Sequence, residues 1–194
     1  MSKVRIGIVG SRFQADCIAH SVKMMPEEME VVAVASPSPG NAEKFAKQHG
    51  IARAYTDYRE MLRDPNVEMI SITAPNRLHA QITIEAAAAG KHVVCEKPLC
   101  VTLEEADAMI DACAKAGVLL LYAEELFFAP KYVKAKRMAD EGAFGRVHLV
   151  SRARSTTART PTGSGTSTNP VAARSWTSAA MASPSAGGSS ASLT

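Results

Sequence analysis

The chain has 194 residues, 46% of them hydrophobic, and a formal net charge of +3 from 22 basic and 19 acidic side chains. That is enough for one domain with a sizeable core and part of a second, and it contains no basic run of the kind that neutralises nucleic-acid phosphates. After Met1 the apolar stretch Val4 to Val9 is broken by Arg5 and Gly7, too short for a signal-peptide core or a membrane span, so the cytoplasm is the expected compartment. Cys17, Cys95, Cys100 and Cys113 show no paired C-x-x-C spacing and are expected as reduced thiols without a metal.

In chain order, short β-branched runs alternate with amphipathic stretches. Strands are expected at Val4–Val9, Val31–Ala35, Met69–Thr73, His92–Cys95 and Val118–Leu121. Between them, helices are expected at Asn41–His49, stopped by Gly50, at Ile82–Ala89, stopped by Gly90, and at Leu103–Ala116, capped by Thr102 and stopped by Gly117. This alternation predicts an α/β fold, a doubly wound parallel sheet covered on both faces. A further helix at Lys131–Glu141, a turn at Gly142–Gly145 and a strand at Arg146–Arg154 read as the start of a second α/β domain. The expected organisation is thus a doubly wound α/β domain over 1–123, the beginning of a second α/β domain over 124–155 and a tail over 156–194.

Three strand ends carry chemistry. The first strand runs into Gly7-Ile-Val-Gly10-Ser11-Arg12-Phe13-Gln14-Ala15, where a dinucleotide fold keeps its glycine turn. Gly10 allows the tight turn, Ser11 and Phe13 stand beside it, and the following helix offers N–H groups and a positive dipole end to a pyrophosphate. Arg12 replaces the middle glycine of the usual pattern and either places its charge near phosphate or points to solvent. At the end of the second strand, where an acidic residue usually binds the ribose hydroxyls of NAD, stands Ser36. A neutral hydroxyl accommodates the 2′-phosphate of NADP more easily, although Pro37 occupies the position of the expected arginine. NAD and NADP both remain open, with the balance toward NADP.

The strings Ala74-Pro75-Asn76-Arg77-Leu78-His79 and Glu96-Lys97-Pro98 follow the third and fourth expected strands. With the glycine turn they resemble the Gfo/Idh/MocA oxidoreductases, the glucose-fructose oxidoreductase and inositol dehydrogenase family, over residues 4 to about 155. The resemblance implies a Rossmann domain that binds a nicotinamide dinucleotide. It also implies Lys97 as the catalytic-site lysine, Glu96 as a cofactor-side neighbour, and Pro75, Asn76 and His79 as residues of the cofactor crevice. His79 reads equally well as a structural residue. A strand-end lysine in such a crevice donates to a substrate oxygen as alkoxide and carbonyl interconvert, and partial desolvation tunes it toward the working pH. The implied reaction moves a hydride between the nicotinamide and a CH–OH/C=O centre of a sugar or polyol.

From Thr156 the composition changes: 25 of the last 39 residues are Ser, Thr or Ala, and none is Asp, Glu or Lys. Such a segment is expected to be a disordered low-complexity tail. A reading-frame slip explains it better. Shifting each codon back by one nucleotide turns Trp176-Thr177 into Asp and Met181-Ala182 into Gly, and permitted wobble choices complete a G-G-x-x-x-D-x-G-x-H string, the substrate-domain motif of the family. That motif is absent as the sequence is written, and so is the sheet on which the family builds its homo-oligomers. The alternatives to a dehydrogenase are therefore a catalytically inactive truncated nucleotide-binding protein and a cofactor-binding regulator that uses the tail for partners.

Overall fold

The computed structural model describes residues 3–150. The compact unit that ends at Phe127 holds one six-stranded parallel sheet. Its strands are β1 (Val4–Val9), β2 (Met29–Ala35), β3 (Arg53–Tyr55), β4 (Met69–Ile72), β5 (His92–Glu96) and β6 (Leu120–Ala123), in the order β3-β2-β1-β4-β5-β6. The connecting helices are α1 (Phe13–Lys23), α2 (Asn41–His49), α3 (Tyr58–Leu62), α4 (His79–Ala88) and α5 (Leu103–Ala116). The doubly wound sheet expected from the alternation is present. The order reverses between β1 and β4, and at such a switch point the connections leave in opposite directions and open a crevice beyond the strand ends.

Buried on both faces, β1 shows how the sheet separates two cores. Ile6 and Ile8 pack with Ala15, Ala19, Val22, Phe45 and Ile51 on one side, while Val9 packs with Met61, Val67, Ile70 and Ile72 on the other. Gly7 is required by this second layer, because a Cβ there would stand 2.9 Å from Met61 Sδ and 3.0 Å from Val67 Cγ1. Met61 comes from α3, so a helix of five residues still contributes one of the largest fully buried side chains.

Element β3 and helix α3 were not expected from the sequence pattern. Three residues are too few to show alternation, and β3 is held by its pairing to β2, Ala33 to Arg53 and Ala35 to Tyr55. Its neighbourhood is fixed by Asp64, a buried carboxylate that accepts from the Tyr55 hydroxyl (2.9 Å), the Asn66 backbone N–H (2.8 Å) and the Asn66 amide (2.9 Å), with Arg53 at 3.4 Å. Burial alone would raise its pKa, but the hydrogen bonds from Asn66 and Tyr55 and the charge of Arg53 together hold it below the ordinary value. The carboxylate therefore stabilises the fold fully above the unfolded value of about 4, and loses that contribution as the pH falls through the lower folded value. Asp64→Ala is expected to cost about 1–3 kcal/mol at neutral pH, and to make the remaining stability less sensitive to acid. Urea unfolding of both proteins at neutral pH and near pH 3 reads both effects.

Several boundaries move by a few residues: β2 starts at Met29, β5 extends to Glu96, α4 starts at His79, and β6 lies two residues later than expected. The helices that the sequence ends at Gly50, Gly90 and Gly117 do so, with φ of 72°, 72° and 67°. α5 opens with a capping box between Thr102 and Glu105.

Beyond Phe127, α6 (Pro130–Asp140) and the turn closed by the 2.9 Å bond from Gly145 N–H to Gly142 O match the expectation. The strand expected at Arg146–Arg154 does not form over residues 146–150, where the chain has no regular structure. Alternating Val147 and Leu149 favour an extended chain, but a strand is stable only against a partner that takes its N–H and C=O groups, and none pairs with this segment among the described residues. The rest of that segment and the Ser/Thr/Ala-rich tail lie outside the described residues. Among the described residues, no helix is long and apolar enough to cross a membrane.

Candidate dinucleotide site

A cleft of about 630 Å³ lies over the carboxyl ends of β1, β2 and β4. Gly10, Ser11 and Arg12 form one wall, Ser36 and Pro37 another, and Thr73 to Pro75 a third. The turn after β1 is built around Gly10, whose φ of 120° is open to glycine alone. A Cβ there would also overlap the Thr73 hydroxyl and stand 3.0 Å from the Thr73 carbonyl oxygen. Thr73 cannot withdraw, since its N–H and its hydroxyl both donate to Val9 O at 2.9 Å. The Gly10 N–H in turn donates to Ala35 O at 2.9 Å, which binds the turn to the end of β2.

Arg12 is the N-cap residue of α1, in extended conformation, and no side chain caps the helix. The first-turn N–H groups of an eleven-residue helix are therefore free of side-chain acceptors beside the cleft, where the helix dipole favours an anion. Ala15 is fully buried, which lets α1 lie close on the sheet.

Ser36 is buried and locked in place. Its N–H donates to Tyr55 O at 3.0 Å, and its hydroxyl accepts from the Ser11 hydroxyl at 3.0 Å. Near it the cleft is lined by Asp57, Tyr58 and Arg59, none of which the sequence had indicated. Arg59 lies 2.9 Å from Glu85 Oε2 and 3.8 Å from Asp57 Oδ1. Burial and the hydrogen bond to Glu85 push the Tyr58 hydroxyl up to about 12, so it stays a neutral donor. The missing signal was the β3–α3 connection itself: without that strand, nothing in the sequence brings residues 57–59 to the cleft that Ser36 lines.

Of the residues expected at the site, the cleft wall gathers Gly10, Ser11, Arg12, Ser36 and Pro75. Phe13, Asn76, His79, Glu96 and Lys97 lie outside that wall. Phe13 is 79% exposed and Asn76 is exposed at the start of a short 3-10 turn. Glu96 is nonetheless linked to the glycine turn's helix: its buried carboxylate accepts a 2.6 Å bond from the Gln14 amide of α1. His79 is fully buried and bridges two loops, with Nδ1 2.9 Å from Pro98 O and Nε2 2.9 Å from Ala74 O. Both neighbours are carbonyl oxygens, which only accept, so the ring nitrogen that carries the proton donates to one loop while the ring packs between the two. Lys97 follows β5 at a cis peptide bond to Pro98 and is exposed; its ammonium makes no hydrogen bond or ion pair among the described residues. The desolvation expected around it is not supplied by those residues.

Comparison with known proteins agrees with this architecture. Residues 4–124 match the model of an oxidoreductase family described as an NAD-binding Rossmann fold. The chain is 34% identical over 154 residues to levoglucosan dehydrogenase of Pseudarthrobacter phenanthrenivorans, covering 76% of this chain and 40% of the relative. It is 36% identical over 144 residues to the inositol 2-dehydrogenase/D-chiro-inositol 3-dehydrogenase of Lactiplantibacillus plantarum, covering 73% and 41%. A solved levoglucosan dehydrogenase in complex with NADH superposes with a TM-score of 0.71 at 33% identity, over 75% of this chain and 41% of that one. The chain thus spans about two fifths of the length of these relatives. With the glycine turn, the strand order and the Glu96-Lys97-Pro98 corner all in place, the chain belongs to the Gfo/Idh/MocA family of NAD-binding oxidoreductases.

Proposed function

We propose that the cleft binds the adenosine and pyrophosphate parts of a nicotinamide dinucleotide, and that the chain serves an NAD(P)-dependent dehydrogenation of a sugar or polyol CH–OH group. The observation that carries this reading is the turn at Gly10, where no Cβ fits, held by backbone hydrogen bonds and next to a helix N-terminus that no side chain caps. Such a site fits a pyrophosphate. When bound, the nicotinamide supplies the hydride acceptor or donor. Lys97 is assigned to donate a hydrogen bond to the substrate oxygen, while Glu96, held by Gln14, and the loops tied by His79 fix the strand ends around it. The named substrates of the relatives, levoglucosan and inositol, are polyhydroxylated, which supports the same class here.

On the adenosine side the reading extends to NADP as well as NAD, with the balance toward NADP. Ser36 brings no charge to repel a 2′-phosphate, and both Arg12 and Arg59 line the cleft. Titration of the chain with NADH and with NADPH, followed by the fluorescence of the reduced nicotinamide, tests it. NADPH is expected to bind at least as tightly as NADH. Ser36→Asp, whose carboxylate can still accept from Ser11, is expected to weaken NADPH relative to NADH by roughly tenfold or more through like-charge repulsion. Failure of both dinucleotides to bind overturns the reading, and a wild-type preference for NADH overturns its NADP part.

A further inference from the structure

On the outer side of the sheet, α1 and α2 bring three ligand-type side chains together in a place the dinucleotide cleft does not use. Asp16 and His20 stand one turn apart on α1, and His49 ends α2. One ligand atom from each lies within 4.8 Å of the others. His49 Nε2 is 2.8 Å from Asp16 Oδ1, and His20 Nδ1 is 3.5 Å from Asp16 Oδ2. The Gln48 amide joins the same carboxylate oxygen at 3.1 Å. We propose that Asp16, His20 and His49 form a binding site for a borderline divalent cation, Zn²⁺ in the first instance.

Two imidazoles and one carboxylate are a donor set for zinc, cobalt, nickel or copper, whereas magnesium and calcium take oxygen ligands. A tetrahedral zinc site spaces its ligand atoms about 3.4 Å apart, so the cluster needs only a small closing movement, and the mobile partner is available. The His20 side chain is 64% exposed and held only by its Nδ1 contacts with Asp16 and the edge of the His49 ring, whereas His49 is 2% exposed and fixed. The fixed ring is oriented through Nε2 alone, since its Nδ1 is buried with no hydrogen-bond partner among the described residues. A cation replacing the proton shared between His49 and Asp16 keeps that orientation. His20 can coordinate through Nε2 while its Nδ1 donates to Asp16 O at 2.8 Å, the kind of backbone anchor that metal-bound histidines usually have. The Gln48 amide, reversed, offers a fourth oxygen, or a water completes the set.

The same contacts also tie α2 to α1 without any ion, so the experiment must separate the two roles. The untagged chain is titrated with Zn²⁺ at neutral pH by calorimetry, and with Co²⁺ by visible absorption, whose intensity reports a tetrahedral site. One ion per chain in the micromolar range is expected, with a rise in the thermal midpoint as the ion fills the folded state. His20→Ala, an exposed change that leaves the fold intact, is expected to weaken the ion by about tenfold or more and to leave NADH affinity unchanged. Cys17→Ser, beside Asp16, is expected to change neither. Absence of saturable one-to-one binding overturns the proposal. So does unchanged affinity in His20→Ala, or loss of the ion in Cys17→Ser, which would place the metal on the thiol.

Discussion

Replacing Gly10 by valine is expected to abolish dinucleotide binding and to lower the thermal midpoint by several degrees. A β-branched residue at φ 120° is strained by about 1–2 kcal/mol, and its Cβ must displace Thr73, which two hydrogen bonds to Val9 O hold in place. Overpacking of that kind adds about 1–3 kcal/mol. In a chain of this size the sum corresponds to a fall of roughly 5–15 °C. Gly10→Ala should show a smaller loss of both stability and affinity. Combining it with Thr73→Ala should recover part of the stability, because the overlapping hydroxyl is then gone. Thermal unfolding and NADH titration measure the two quantities separately. A Gly10→Val protein that folds and binds NADH as the wild type does would remove the turn from the cofactor site.

The second large effect is expected on rate rather than on stability. Lys97 is exposed, makes no side-chain hydrogen bond among the described residues, and stands at the end of β5 directly after a buried glutamate. Lys97→Met should therefore leave the thermal midpoint within about a degree, since a surface substitution away from any cap or network costs little. If Lys97 donates to the reacting oxygen, the same change lowers kcat for polyol oxidation by about 10²- to 10⁴-fold while NADH affinity stays within a factor of two or so. Steady-state rates over a panel of inositols and anhydrosugars, alongside the NADH titration, distinguish these outcomes. Equal turnover in wild type and variant would take Lys97 out of the reaction.

The parts of this fold that were legible in the sequence share a physical cause. Strands buried on both faces leave near-continuous apolar runs, as in Val4–Val9, and glycines one residue past a helix mark its end, as Gly50 and Gly117 do. The glycine turn was legible for the same reason, because Gly10 meets a steric demand no other residue meets. The β3–α3 segment was not legible. Arg53–Tyr55 has no internal periodicity, and its conformation comes from pairing with β2 and from Asp64, contacts that only the tertiary structure creates. With it went Arg59 and Tyr58, so the adenosine side of the cleft was read as lacking an arginine when one lines it. The reverse error occurred at Arg146–Arg154, where a convincing alternation has no partner strand over its described residues. Local pattern proposes a strand, and pairing decides it.

The position of Ser36 against that three-residue edge strand has a kinetic side. Edge elements with few paired amides open locally far more often than the centre of a sheet, and at a fraction of the global unfolding free energy. The Ser36 N–H donates to the carbonyl of Tyr55, the last residue of β3, so an opening of that edge would also release the residue proposed to meet the ribose. Exchange of the Ser36 amide with solvent deuterium is therefore expected to follow local opening of β3, and that of Gly7 and Ile8 at the sheet's centre to require unfolding of the domain. On the proposed assignment, the residue that would meet the cofactor's sugar is tied to the shortest edge strand of the sheet, and the phosphate cradle to a central one.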